Sequence, residues 1–376
     1  MKNKKLIALL TNNDDDVYCF RKELIEALIA EGYEMLVSCP DGPKLQLMKH
    51  IPYIYDNPCI DRRGTNPVND AKLMFHYWKL FKETKPSVVL TYTAKPNVYA
   101  SLVAHILGIP VINNLTGVGS VVNEKGIMKT FIMWLFKQAY TKSSCIMFQN
   151  ETNMKVAINA GMVKGAYKLI PGSGVDTDRY PLQSYPYGGD GKTGEPVVFN
   201  YIGRIMHDKG VDDYIQAAIR IREKYPNTEF NMLGFIEPTE MHYEKELKEL
   251  QDKGIVFYRG SQNDVKPFIA RAHATIHPST YGEGMSNVLL ESASSGRFLI
   301  STNNPGCQET IEDNITGFIY QGGNVDALVS AIERFLAMSN AQRKEAGEKG
   351  RERMLKHFSR RIVIKEYNDS IKNILS

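Results

Sequence analysis

Short apolar runs alternate with amphipathic stretches along most of the chain. Lys5–Thr11, Glu34–Ser38, Ser87–Thr91, Pro110–Asn113, Ser144–Gln149 and Lys168–Ile170 read as strands. Between the first two, Phe20, Leu24, Ala27 and Leu28 recur at helical spacing, which predicts a helix over Val17–Glu31 ended by Gly32. Ala71–Glu83, Val98–Leu107 and Ile127–Tyr140 follow as helices. Strand and helix in alternation predict an α/β fold, a mostly parallel sheet covered on both faces. Residues 181–196, PLQSYPYGGDGKTGEP, lack any apolar period and read as a linker. The alternation then restarts. Strands are expected at Val197–Ile202, Glu229–Leu233, Val256–Tyr258, Ala274–His277 and Phe298–Ser301. Helices are expected at Val211–Lys224, Tyr243–Lys253, Val265–Arg271, Asn287–Ser295 and Asn324–Ala337, and Ala341–Leu375 is helical with no strand after it.

The length, 376 residues, suits two domains. An apolar fraction of 43% and a charged fraction of 23% exclude disordered, collagenous and disulfide-scaffold classes. The net charge of +4 is unevenly spread: Met1–Tyr180 holds 22 basic and 16 acidic residues, a balance of +6, and the rest holds 24 and 26, a balance of −2. A basic first half hints at an anionic partner, and scattered surface lysines explain it equally well. Five widely spaced cysteines fit a reducing cytoplasm rather than a disulfide framework. Residues 96–123 carry no Lys, Arg, Asp or Glu, but Gly108, Pro110, Gly117 and Gly119 interrupt them, so no membrane span is expected. The histidines lack metal-ligand spacing, and no metal is expected. His207 and His277 are the two placed to approach a ligand.

Candidate chemistry lies in strand-to-helix turns, because open α/β sheets bind ligands at the carboxyl ends of their strands. Gly203 allows a tight turn after Val197–Ile202, and Arg204 and Lys209 put two cations in one loop. Such a pair suits a diphosphate, Arg as a fork of donors and Lys as a point charge; two solvated cations are the plain alternative. After Ala274–His277 comes Thr280-Tyr281-Gly282-Glu283-Gly284-Met285-Ser286-Asn287, with Glu291 on the following helix. A carboxylate in a glycine-flanked loop can accept bonds from sugar hydroxyls, and one on the helix can reach a ribose diol. A helix cap and a surface acid are the ordinary readings of the same residues.

The order Gly-Arg…Lys-Gly, then Pro-Ser-x-x-x-Glu-Gly-x-x-x-x-x-x-Glu, resembles the retaining glycosyltransferases of the family-4 group. Pro171–Asp176, Asn303–Glu309 and Asn314–Phe318 resemble further segments of that family, so the likeness covers nearly the whole chain. It implies a GT-B fold: two Rossmann-like doubly wound domains facing across a cleft. The implied division is 1–180 for the acceptor, a linker at 181–196, 197–355 for the nucleotide-sugar donor, and a helix at 356–376 returning to the first domain. The resemblance also implies roles. Arg204 and Lys209 hold the donor diphosphate, and Glu283 binds the donor sugar. Gly203, Gly284, Met285, Ser286 and Asn287 line sugar and phosphate, and Glu291 binds the ribose. No metal or other cofactor is implied.

The first half departs from the family's common pattern. Asn12–Asp16 lacks the usual glycine pair, and where the family often has a His near the reacting centre this chain has Thr116. Loops Thr91–Asn97 and Asn113–Gly119 make Tyr92, Lys95, Asn114, Thr116 and Gly117 the acceptor-side candidates. This variant resembles the bacterial subgroup that extends polyprenyl-diphosphate-linked saccharides from UDP-sugars. Lys129, Phe131, Trp134 and Lys137 lie on a helix more apolar than one core-facing stripe requires, which suits docking on an anionic membrane. The expectation is a hexosyltransferase of surface-polysaccharide biosynthesis, cytoplasmic and peripheral on the inner membrane. The alternatives are a nucleotide-sugar 2-epimerase of the same fold and a non-catalytic two-domain sugar-binding protein. Nucleic-acid binding is disfavoured by the mild charge.

Overall fold

The computed structural model describes residues 5–61, 64, 66–116 and 127–376, without the side chains at 127–129 and 131. The chain forms two compact units, one of Met1–Ser173 with Arg361–Ser376, the other of Gly174–Arg360.

The first unit is built on a parallel seven-stranded sheet. Its strands are β1 (Leu6–Leu10), β2 (Glu34–Ser38), β3 (Ile54–Asp56), β4 (Val88–Thr91), β5 (Val111–Leu115), β6 (Cys145–Phe148) and β7 (Ala166–Leu169). They are ordered β3-β2-β1-β4-β5-β6-β7. Alternate residues serve opposite faces, as strand geometry requires. Ile7, Leu9, Val37, Leu90 and Met147 pack with Leu24, Ile25 and Leu28 of the helix Lys22–Ala30, and with Val363, Tyr367 and Ile371 of the helix Arg360–Leu375. Ala8, Leu10, Leu36, Val89 and Val111 face the helices Pro67–Thr84 and Ser101–Ile106. Leu115, Ile146 and Phe148 meet Phe136 and Tyr140 of the helix Ile127–Tyr140.

The second unit holds a parallel sheet of β8 (Val197–Ile202), β9 (Thr228–Leu233), β10 (Phe257–Tyr258), β11 (Ala274–His277), β12 (Phe298–Thr302) and β13 (Gly317–Tyr320). The order is β10-β9-β8-β11-β12-β13, so β8 and β11 lie side by side in the middle. One core gathers Phe199, Tyr201, Phe230, Ile276 and Ile300 beneath the helices Val211–Lys224 and Val325–Ala337. A second gathers Met285, Leu289, Leu290, Leu299 and Cys307.

The compact units divide differently from the expected 1–180, 181–196, 197–355 and 356–376. Residues 181–196 belong to the second unit. Arg297 donates to the carbonyls of Gln183 and Ser184 at 3.0 and 2.9 Å, and Arg343 to that of Gly189 at 3.0 Å. Tyr185 Oη donates to the carbonyl of His273 at 2.7 Å. Backbone carbonyls held by distant arginines leave no apolar period to read.

Candidate functional site

Three turns meet at the carboxyl ends of β8, β11 and β12. Thr280 N and Tyr281 N donate to the carbonyl of Asp208 at 3.0 and 2.9 Å, which joins the loop after β11 to the loop after β8. Ser286 N donates to the carbonyl of Gly306 at 2.8 Å, which brings in the loop after β12. Close approach requires glycine at two places. Gly210 has φ +73°, and a Cβ there would lie 2.2 Å from the carbonyl oxygen of Pro278. Gly306 has φ +85°, and its Cβ would lie 2.8 Å from Cβ of Glu283 and from the carbonyl oxygen of Gly284. Only glycine accepts such a backbone without strain.

Two cations and two carboxylates occupy this junction. Lys209 Nζ is hydrogen-bonded to Glu283 Oε1. Arg204 Nη1 lies 3.3 Å from Glu237 Oε2. The Tyr281 ring lies beside both cations, its centroid 4.8 Å from Lys209 Nζ and 5.4 Å from the Arg204 guanidinium carbon. Ser279 Oγ donates to Glu283 at 3.3 Å, and His277 Nε2 lies 3.7 Å from the same oxygen. Burial alone would push the Glu283 carboxyl up; Lys209 and His277 outweigh it and hold the pKa at about 2. His277 is shifted the other way, because burial disfavours its charged form more than Glu283 favours it. Glu283 is therefore a carboxylate at neutral pH.

The expected donor residues are thus brought together around Arg204, Lys209 and Glu283. Gly203 directly follows β8, and Gly284 lies in the loop against Gly306. Met285 is buried, while Ser286 and Asn287 open the helix Asn287–Ser294, so their backbone N–H groups lie in its first turn. Glu291 sits one turn further along, near Tyr180, Arg179 and Arg360. Burial pushes its carboxyl up to about 7, against the Tyr180 hydrogen bond and the two arginines. Sequence reasoning missed Glu237 and Tyr281. Glu237 follows the Gly234 turn after β9, and its nearness to Arg204 comes from the pairing of β9 with β8.

In the first unit the expected acceptor residues divide. Tyr92 and Asn114 are fully buried. The Arg21 guanidinium lies over the Tyr92 ring at 4.0 Å. Asn114 Nδ2 donates to Tyr367 Oη, and Asn114 Oδ1 accepts from Gln149, both at 2.8 Å. A polar side chain at the end of a buried parallel strand is satisfied inside the fold rather than presented. Lys95 is tied to Asp70 at 2.6 Å, and Thr116 is partly exposed just after β5. Gly117 lies outside the described residues, as do the side chains of Lys129 and Phe131. Trp134 is 54% exposed, and Lys137 is exposed too. Among the described residues, no three His, Cys, Asp or Glu are placed to hold a metal ion.

Two family models match the chain. Residues 6–150 match the family model "Glycosyl transferase 4-like", and residues 189–353 match "Glycosyl transferases group 1". The chain is 25% identical over 390 residues to the capsular polysaccharide biosynthesis glycosyltransferase CapM of Staphylococcus aureus, covering 99% of each. It is 22% identical over 349 residues to the N,N'-diacetylbacillosaminyl-diphospho-undecaprenol alpha-1,3-N-acetylgalactosaminyltransferase of Campylobacter jejuni, covering 88% of this chain and 89% of that protein. Anabaena HepE, solved in complex with UDP and glucose, superposes with a TM-score of 0.79 at 16% identity, over 98% of this chain and all of that one. That likeness establishes the GT-B fold.

Proposed function

We propose that this chain, which belongs to the glycosyltransferases through a glycosyl transferase 4-like first half and a group 1 second half, moves a hexose or N-acetylhexosamine from a UDP-sugar to a polyprenyl-diphosphate-linked saccharide in bacterial surface-polysaccharide biosynthesis. One observation carries the donor reading: Arg204, Lys209 and Glu283 converge where β8 and β11 end. Two cations at a strand-to-helix turn match a diphosphate, and an ionised carboxylate beside them matches sugar hydroxyls. Glu291 on the following helix is assigned to the ribose. The acceptor reading draws on the printed activity of the Campylobacter relative. Lys95, Thr116 and Gly117 are the first-unit residues assigned to the acceptor.

The reaction needs no covalent enzyme intermediate. An acceptor hydroxyl oxygen forms the new bond to the anomeric carbon as the bond from that carbon to the phosphate oxygen breaks. The hydroxyl proton passes to the departing phosphate oxygen, and attack from the same face retains the anomeric configuration. Arg204 and Lys209 stabilise the charge that develops on the phosphate. Their charge does the work that a metal ion does at other phosphate sites, so no metal enters the step.

A peripheral place on the cytoplasmic face of the membrane completes the proposal. Its support is the exposed Trp134 with Lys137 on Ile127–Tyr140. On Pro67–Thr84, exposed Phe75 and Trp78 stack at 5.9 Å with Lys82 over the Trp78 ring. Aromatic residues beside lysines fit an anionic lipid surface. Among the described residues, no helix is long and apolar enough to cross a membrane.

Incubation with a panel of UDP-sugars and a polyprenyl-diphosphate-linked saccharide, read by mass, tests the function. One UDP-sugar should add one sugar to the acceptor, and NMR of the product should show the donor's anomeric configuration. Conversion of the nucleotide sugar without acceptor would instead support the epimerase, and binding without any conversion the sugar-binding protein.

A further inference from the structure

The two cations offered to a diphosphate already have carboxylate partners. Lys209 and Glu283 form a pair whose side chains are only 10% and 15% exposed. Arg204 faces Glu237, whose side chain is 4% exposed. The Tyr281 ring lies along both cations. The junction is therefore internally balanced, two positive charges against two carboxylates, rather than an open anion site. An incoming diphosphate has to take Lys209 from a partner it already holds.

We propose that Glu283 competes with the diphosphate for Lys209, and that this exchange makes the site prefer a nucleotide sugar to the bare nucleoside diphosphate. The inference rests on the reading of Lys209 as the diphosphate ligand and Glu283 as the sugar ligand. A diphosphate that draws Lys209 away leaves a largely buried carboxylate without its cation, which is costly. When the diphosphate carries a sugar, that sugar's hydroxyls donate to the carboxylate and offset the cost. When it carries none, the carboxylate keeps only contacts that were present before binding, among them Ser279 Oγ at 3.3 Å and the His277 ring at 3.7 Å. After transfer, the same competition works in reverse: Glu283 recovers Lys209 and loosens the departing nucleotide. Glu283 thus acts in both substrate selection and product release, with opposite effects on sugar nucleotide and nucleotide.

Calorimetric titration with UDP, and with the UDP-sugar that the transfer panel identifies, tests this on wild type and Glu283→Gln. Glu283→Gln keeps the side-chain shape and releases Lys209. It should bind UDP roughly tenfold more tightly than wild type, the equivalent of about 1.4 kcal/mol. The wild-type preference for the UDP-sugar over UDP should shrink by a similar factor, and transfer should fall. Glu283→Asp, with a shorter and looser pair, should lie between the two and serves as the measurement if Glu283→Gln melts abnormally. Unchanged or weaker UDP binding in a folded variant overturns the competition and leaves the functional reading standing. A wild type that binds neither UDP nor any UDP-sugar overturns both.

Discussion

Glu291 and Glu283 are both carboxylates near arginine or lysine, and the structure drives them in opposite directions. Glu283 has a lysine in direct contact and is held at about 2. At Glu291 burial outweighs Arg179 and Arg360 and carries the carboxyl up to about 7 from an ordinary 4.5. The sign for stability follows directly. Between those two values the folded chain keeps a proton that the unfolded chain has lost, so stability falls as pH rises through that window. Glu291→Gln mimics the protonated form, so its melting temperature relative to wild type should rise from about pH 5 to about pH 8 in ligand-free protein. A difference that stays constant with pH contradicts the assignment. Neither shift is legible in the sequence, because both acids belong to one motif and differ only in what the fold packs around them. The motif residues themselves are legible, since Arg204 and Lys209 share one loop. Glu237 is not, because its pairing with Arg204 spans two strands and no local spacing records it.

At the scale of elements, strong local signals translate well and weak ones do not. β8, buried at all but its last residue and apolar apart from Asn200, forms over the expected residues. β3 is missed because an edge strand of three residues, none of them buried, has no pattern to read. β13 is missed because Asn314, at φ +62°, and Gly317 resemble a turn rather than the approach to a strand. The helix Glu151–Asn159 is missed as well; its clearest signal is the cap, where Asn150 accepts from Asn153 N at 2.8 Å. The single helix expected over Val17–Glu31 divides into a π-helical turn, Val17–Arg21, and the helix Lys22–Ala30. The loop after β12 carries the functional consequence. Gly306→Ala places a Cβ against Glu283 and Gly284 in a left-handed backbone. It should lower stability by about 1–3 kcal/mol. By displacing the Glu283 loop it should also lower kcat by roughly tenfold or more, as a change of about 1.4 kcal/mol in the barrier would. Steady-state rates with a melting control read both effects, and unaltered kcat in Gly306→Ala would show that this loop does not position Glu283.

At the scale of the molecule, two parallel-sheet units follow from the alternation of strands and helices, and the chain's return to the first unit does not. Tyr367 is buried in the first unit's core and accepts from Asn114, more than 250 positions earlier. No periodicity in either segment predicts that bond. The surface likewise gains meaning only once folded, because Trp134 is exposed while Phe136 and Tyr140 of the same helix are buried. In flotation with vesicles containing anionic lipid, wild type should rise with the vesicles at low salt and Trp134→Glu should stay with the soluble fraction, with both proteins melting alike. Equal flotation of the two would remove this helix from the membrane contact.

The central claim is that a sugar leaves its nucleotide at the junction of Arg204, Lys209 and Glu283. Parallel transfer assays on wild type, Arg204→Ala and Lys209→Ala test it most directly. The UDP-sugar and polyprenyl-diphosphate-linked saccharide are held constant, and the acceptor's mass gain is followed over time. Wild type should add one hexose or N-acetylhexosamine, and both variants should lose that gain while remaining folded, melting lower than wild type because each leaves a largely buried carboxylate without its cation. Full transfer by both variants would contradict the claim.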